Sequence, residues 1–128
     1  MLKPRRMILL LAATWPQRAL IRAQLAADTA LRVVGTDSCT SAIEWLATTP
    51  FSLVVVDTQG LAPDPRLLDA LRVRPTPVLL LTGSFNGTEW KLAAAGLDVK
   101  EILVRPVLIG DLTRAAARLV VDRDSHPG

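Results

Sequence analysis

The sequence predicts an α/β fold, a doubly wound parallel sheet of five strands with five helices packed on its two faces. Three observations predict it. Five short, unbroken apolar runs recur along the chain, amphipathic segments at helical spacing separate them, and the connections between are short. Strands buried on both faces read as continuous apolar runs rather than alternating ones. Strand–helix alternation with short loops builds parallel sheets.

The elements follow in order. Met7–Leu11 reads as the first strand. A helix begins behind Thr14, with Gln17 three residues on at capping-box spacing and Pro16 in the first turn. Leu20, Ala23 and Ala27, with Ile21 and Leu25, then recur at helical intervals. Leu31–Gly35 is the second strand, and the second helix starts at Ser38 or Ser41 and carries Ala42, Ile43, Trp45 and Leu46. Phe51–Val56 is the third strand. Asp64 is placed to cap a third helix before Pro65, followed by Leu67, Leu68 and Leu71. Val78–Leu81 is the fourth strand, and Phe85-Asn86-Gly87 reads as a turn. The fourth helix is expected from Thr88 to Ala95, stopping at Gly96. Ile102–Val104 is the fifth strand, and Ile109–Val121 the fifth helix, with Leu112, Ala115, Ala116, Leu119 and Val120 on one stripe. The expected division is a domain over 1–121 and a polar tail, or the start of a linker, over 122–128.

Composition narrows the class. A chain of 128 residues that is 50% apolar suits one domain with a real core. The mean hydropathy of +0.33 is high. Still, no apolar run reaches the roughly 18–20 residues that a membrane span needs. Lys3, Arg5 and Arg6 before the first apolar run imitate a signal peptide, but Thr14 to Arg18 follow with no small-residue cleavage site. Cys39 is the only cysteine, so no internal disulfide forms, and a cytoplasmic location is expected. Cys39 itself reads as a packing residue. The single histidine, His126, rules against a zinc site built from Cys and His. The net charge is +3, with basic residues spread along the chain and clustered only at Lys3-Pro4-Arg5-Arg6. That is neither a basic stripe nor a nucleic-acid module, so neither nucleic acid nor a membrane is the expected partner. No nucleophile–base pair or metal cluster is visible, so no enzyme is expected.

Open parallel sheets hold their chemistry beyond the carboxyl ends of the strands, where the strand order switches. Here those positions are Ala12, Ala13, Asp57, Thr82 and Arg105. Asp57 closes the apolar run Leu53-Val54-Val55-Val56. Thr82 closes Pro77-Val78-Leu79-Leu80-Leu81, and Arg105-Pro106 closes the fifth run, with Leu112 six residues past the proline. On these matches, in order and over nearly the whole chain, the sequence resembles the CheY-like receiver domain of two-component response regulators. The resemblance implies a flavodoxin-like sheet of order 2-1-3-4-5. It makes Asp57 the phosphoacceptor candidate, and Thr82 and Arg105 the candidates for switch and phosphate contacts.

The departures from the family pattern carry as much information. The family keeps two acidic residues after the first strand, which hold Mg²⁺ beside the aspartate; here they are Ala12 and Ala13. The family lysine is Arg105, and Ile102 stands where an aromatic residue is common. Thr58-Gln59-Gly60-Leu61 follows the aspartate in place of the usual x-x-Met-Pro, and the stretch from Gly96 to Arg105 is longer than usual. The family site has an excess of acids that a metal neutralises, whereas Asp57 and Arg105 cancel. A guanidinium makes a two-pronged contact with a carboxylate that lysine cannot copy. Arg105 is therefore expected to pair with Asp57, with Thr82 adding a hydrogen bond, and no cofactor or metal is expected.

The resulting expectation is a degenerate pseudo-receiver: a bacterial signalling module that binds proteins without Mg²⁺-dependent phosphorylation. Its partners would be a histidine kinase, an output domain or a second copy in a homodimer. By the resemblance, docking uses the fourth helix, fifth strand and fifth helix, where Trp90, Lys91, Leu92, Ile102, Leu108 and Arg114 lie. One alternative is a working receiver in a phosphorelay, phosphorylated on Asp57 with Mg²⁺. Another is a small-ligand site in the notch left by Ala12 and Ala13 beside Thr14.

Overall fold

A computed structural model describes residues 6–28, 30–74, 76–83, 87–108 and 110–125. The chain runs β1 (Arg6–Ala12), α1 (Trp15–Ala26), β2 (Leu31–Thr36), α2 (Cys39–Thr48), β3 (Leu53–Asp57), α3 (Pro65–Val73), β4 (Val78–Thr82), α4 (Gly87–Ala93), β5 (Val99–Val104) and α5 (Asp111–Ser125). The five strands form one sheet of order β2-β1-β3-β4-β5, and every neighbouring pair is parallel. The expected fold class and strand order are those observed.

Burial explains the apolar runs. β3 and β4 are buried at every position, and β1 from Ile8 to Ala12, because helices cover both sides of these central strands. One face carries Ile8, Leu10, Leu53, Val55, Leu79 and Leu81 against Ile21 and Leu25 of α1 and Leu112, Ala116 and Leu119 of α5. The other carries Leu9, Leu11, Val54, Val56 and Leu80 against Ala42 and Leu46 of α2, Leu67 and Leu71 of α3, and Trp90 and Ala94 of α4. The edge strands β2 and β5 are only partly covered, which is why their runs are mixed with polar residues.

Several element ends differ from expectation, each for a local reason. Thr14 occupies the N-cap of α1 but makes no side-chain capping bond. Pro16 removes one of the two N–H groups such a hydroxyl normally accepts from. On α1 only Ile21 and Leu25 face the core; Leu20, Ala23 and Ala27 point outward. Ser38 caps α2 by accepting from the Ser41 amide at 3.1 Å, and Asp64 caps α3 through the Arg66 amide at 2.9 Å. Phe51 lies before β3 rather than in it, buried with its ring edge-on to Trp45. β5 starts at Val99, three residues before the expected start at Ile102, and a register shift leaves Lys100 as the unpaired residue of a bulge. This bulge takes up part of the extra length between Gly96 and Arg105. α4 is shorter than expected, and the chain leaves it through tightened bonds, Ala95 N to Leu92 O and Leu97 N to Ala94 O, around Gly96 at φ +93°.

The fifth helix also shifts. Gly110 has φ +90°, a left-handed conformation outside any right-handed helix, so α5 starts at Asp111. Its backbone stays helical to Ser125, beyond the tail boundary expected after residue 121. Ile109, His126, the Phe85-Asn86 part of the expected turn and the basic residues Lys3 and Arg5 lie outside the described residues. Among the described residues no helix is long and apolar enough to cross a membrane.

These faces can be checked by paired truncations. Leu10→Ala opens the centre of the core and should cost about 2–5 kcal/mol in urea unfolding. Leu20→Ala on the outer side of α1, where the side chain is 56% exposed, should stay within about 0.5 kcal/mol. Equal losses would mean that α1 is rotated from the orientation described.

Candidate functional site

The chain leaves β1 for one edge of the sheet and returns to place β3 on the other side of β1, so the strand order switches between β1 and β3. At the carboxyl end of that seam Ala12 sits directly across from Asp57. Asp57 in turn faces Leu81, and Thr82 faces Val104. Asp57, Thr82 and Arg105 thus end three adjacent strands, and Ala12 and Ala13 follow the neighbouring one.

Asp57 is 1% exposed and ion-paired through Oδ1 with Arg105 Nη2. The Gln59 amide donates to the same carboxylate oxygen at 3.1 Å, inside the loop that leaves β3. Arg105 reaches Asp57 from two strands away, across two inter-strand spacings of about 4.8 Å each. Its backbone is pinned at the start of that reach, because its amide donates to the Thr82 carbonyl at 2.8 Å. The guanidinium passes beside Gly83, where a side chain would begin 3.6 Å from Nη1. The Arg105-Pro106 peptide is cis. Burial pulls the Arg105 pKa below its ordinary value, yet a guanidinium starts so high that the group stays charged at neutral pH. The carboxylate therefore lies against a buried Nη2, on a side chain that is 24% exposed as a whole.

Thr82 is buried at 1% exposure. The expected hydrogen bond from its hydroxyl to Asp57 is not formed among the described residues: the carboxylate's protein contacts are the Gln59 amide and Arg105. It is the next residue after Asp57, Thr58, that holds β3 to β4, with its amide and its hydroxyl both donating to the Leu81 carbonyl at 3.0 and 2.9 Å.

One site residue escaped sequence reasoning. Arg18, one turn into α1, donates from Nη1 to the Ala12 carbonyl at 3.0 Å and lies flat on Gly35, where a side chain would meet its Cγ and Cδ at 3.4 Å. The strand end that carries acids in the family pattern carries a second guanidinium here. The pattern of an arginine one turn after Thr14 was visible, but the glycine of another strand on which it packs was not.

The residues present do not suit Mg²⁺. The ion needs hard oxygen ligands, usually with one or two carboxylates free to bind it. The two alanines offer no side-chain oxygen, Asp57 is taken by Arg105, and both nearby arginines repel a cation. Among the described residues no cluster of three His, Cys, Asp or Glu side chains could hold a metal.

The expected docking surface is partly rearranged. Lys91, Leu92 and Arg114 are exposed and Leu108 is 70% exposed. Ile102 is half-buried against the core. Trp90 does not belong to this surface: it is 1% exposed, its ring packs into the core, and its indole N–H donates to the Leu61 carbonyl at 2.8 Å. Val104, exposed at the end of β5, adds to the apolar part of the surface. An open groove of about 490 Å³ separates α4 from β5, floored by Leu80, Ala94 and Ile102 and rimmed by Lys91, Lys100 and Glu101.

No family model matches the sequence, and no curated protein matches it. Solved structures do match. A response regulator receiver domain from Clostridium thermocellum superposes with a TM-score of 0.78 at 20% identity, over 94% of this chain and 98% of that one. The chain has the receiver fold. An adenylate cyclase structure from Rhodopirellula baltica is similarly close, with a TM-score of 0.79, 21% identity and coverage of 94% and 91%. The receiver domain of a sensor histidine kinase from Pseudomonas aeruginosa, with a magnesium ion coordinated in its active-site cleft, matches with a TM-score of 0.75 and 16% identity, over 91% and 98%. On this shared receiver fold, the present chain pairs Asp57 with Arg105 and ends the neighbouring strand in two alanines, with Arg18 bonded to the Ala12 carbonyl.

The pair predicts an asymmetry. Arg105→Met leaves a carboxylate with almost no access to water and should cost about 3–5 kcal/mol of stability. Asp57→Asn leaves a cation on the more exposed side chain of the pair, 24% against 1%, and an amide oxygen that can still accept from it, so its cost should be clearly smaller. Urea unfolding of both variants checks this, and equal or negligible losses would contradict the burial described.

Proposed function

We propose that this chain is a receiver-type signalling domain of a bacterial two-component system, working in the cytoplasm as a protein-interaction module without Mg²⁺-dependent phosphorylation. It is neither an enzyme nor dependent on a cofactor. The observation that carries this reading is the Asp57–Arg105 ion pair beside Ala12. Phosphoryl transfer to a carboxylate brings anions together and depends on positioning and charge neutralisation, for which a metal usually supplies much of the charge. Here a fixed guanidinium takes the carboxylate that would attack, and the acids that would hold the metal are missing. The partner is a protein, such as a histidine kinase, an output domain or a second copy, docking on the surface of Lys91, Leu92, Val104 and Leu108.

A phospho-accepting role is the second reading, favoured by the placement of Asp57 and Thr82 at adjacent strand ends. It requires Arg105 to swing away and serve the incoming phosphoryl group. Incubation with acetyl phosphate and Mg²⁺ separates the two, read by intact mass and by fluorine NMR with beryllofluoride. No adduct is expected on the wild-type protein. A combined Ala12→Asp, Ala13→Asp, Arg105→Lys variant should gain measurable Mg²⁺ binding. A stable phosphoaspartate on the wild type that disappears in Asp57→Asn would make the second reading correct.

A further inference from the structure

Trp90 is the largest fully buried side chain, yet it sits on the seven-residue helix α4 beside the exposed Lys91 and Leu92. Among the described residues α4 is the shortest helix, and a short helix depends on its tertiary contacts to hold. Gly87 begins the helix, and Gly96, in a left-handed conformation, follows it. α4 is tied down by the Trp90 ring in the core and its N–H bond to the Leu61 carbonyl at 2.8 Å, with the buried Gly87 at its start and Ala94 just past its end.

That carbonyl belongs to the loop that leaves Asp57. The Leu61 amide donates to the Thr58 carbonyl at 3.1 Å, and Thr58 is clamped to β4 by its two bonds to the Leu81 carbonyl. Gln59 of the same loop donates to Asp57 Oδ1. A continuous run of hydrogen bonds therefore joins the ion pair to α4. A buried indole N–H that loses its acceptor is costly, so the ring and the loop must move together.

We propose that Trp90 is a latch that couples the Asp57–Arg105 pair to the position of α4, so that the presentation of Lys91 and Leu92 depends on whether the pair is closed. Its use in signalling rests on the partner surface proposed above, but the coupling itself needs no partner and is tested without one. The latch predicts that disturbing the pair loosens α4, and that weakening the latch is felt at the pair.

A double-mutant cycle in urea unfolding tests it. Trp90→Phe keeps one aromatic ring in the core but deletes the N–H together with the rest of the indole; Asp57→Asn keeps the shape and deletes the charge. Independent distant sites combine to within about twofold in the unfolding constant, whereas a latch should give a departure of about fivefold or more. A second readout uses a Trp15→Phe, Trp45→Phe background, in which fluorescence comes from Trp90 alone. Arg105→Met should shift that emission and speed exchange of the Trp90 indole N–H by about tenfold or more, scaled to local rather than global opening. This arm also decides the question if Trp90→Phe fails to fold. An additive cycle, or unchanged emission and exchange in Arg105→Met, would overturn the latch while leaving the interaction-module reading intact. A phosphoaspartate on Asp57 would do the reverse.

Discussion

A carboxylate that is 1% exposed cannot stay charged without a partner, and most of what is distinctive here follows from how Asp57 finds one. β3 is apolar and buried on both sides, so the charge at its end emerges into a site with little water. The partner has to come from the protein. Arg105 supplies it from two strands away, with its own backbone fixed to Thr82. The loop over Asp57 and the clamp at Thr58 keep that geometry in place. Where a metal would balance the charge from solution, here a side chain tethered to the sheet balances it.

The same constraint shapes the surrounding residues. With the acids replaced by Ala12 and Ala13, nothing at the end of β1 competes for a cation, and the strand's last carbonyl is free to accept from Arg18. Arg18 packs there on Gly35 of β2, where a Cβ would just reach its Cγ and Cδ at 3.4 Å. Asp57 is now balanced by Arg105, with a second guanidinium bonded at the neighbouring strand end, so the excess of acid in the pattern the sequence resembles is gone. The change involves several residues on three elements, so restoring a single acid would not recreate a metal site.

Much of this was legible in the sequence, and the reasons for the rest are physical. Continuous apolar runs marked β1, β3 and β4 because both faces of the sheet are covered, and the stripe on α5 appeared intact in its core contacts. The Asp57–Arg105 contact was legible because charges at neighbouring strand ends must be balanced. Element ends were less so, since Thr14 is undone as a side-chain cap by Pro16, and α5 is delayed by the left-handed Gly110. Arg18 was missed because it packs on a glycine from a different strand. Trp90 was placed on the outside because a short helix shows too little periodicity to say which side meets the sheet; Ala94, one turn later, shares its inward side, and Leu92 between them does not.

The bulge at Lys100 has one more consequence. β5 is an outer strand, and an outer strand with a regular ladder is a template on which another chain can add a strand. The shift between Val99 and Glu101 interrupts that ladder. Glu101 is also tied back to Arg118 of α5, and Lys100 to Asp98 at 3.0 Å. The sheet therefore stops at five strands. A molecule approaching from this side meets an interrupted ladder flanked by charged side chains, which suits open-ended stacking of one chain on the next poorly.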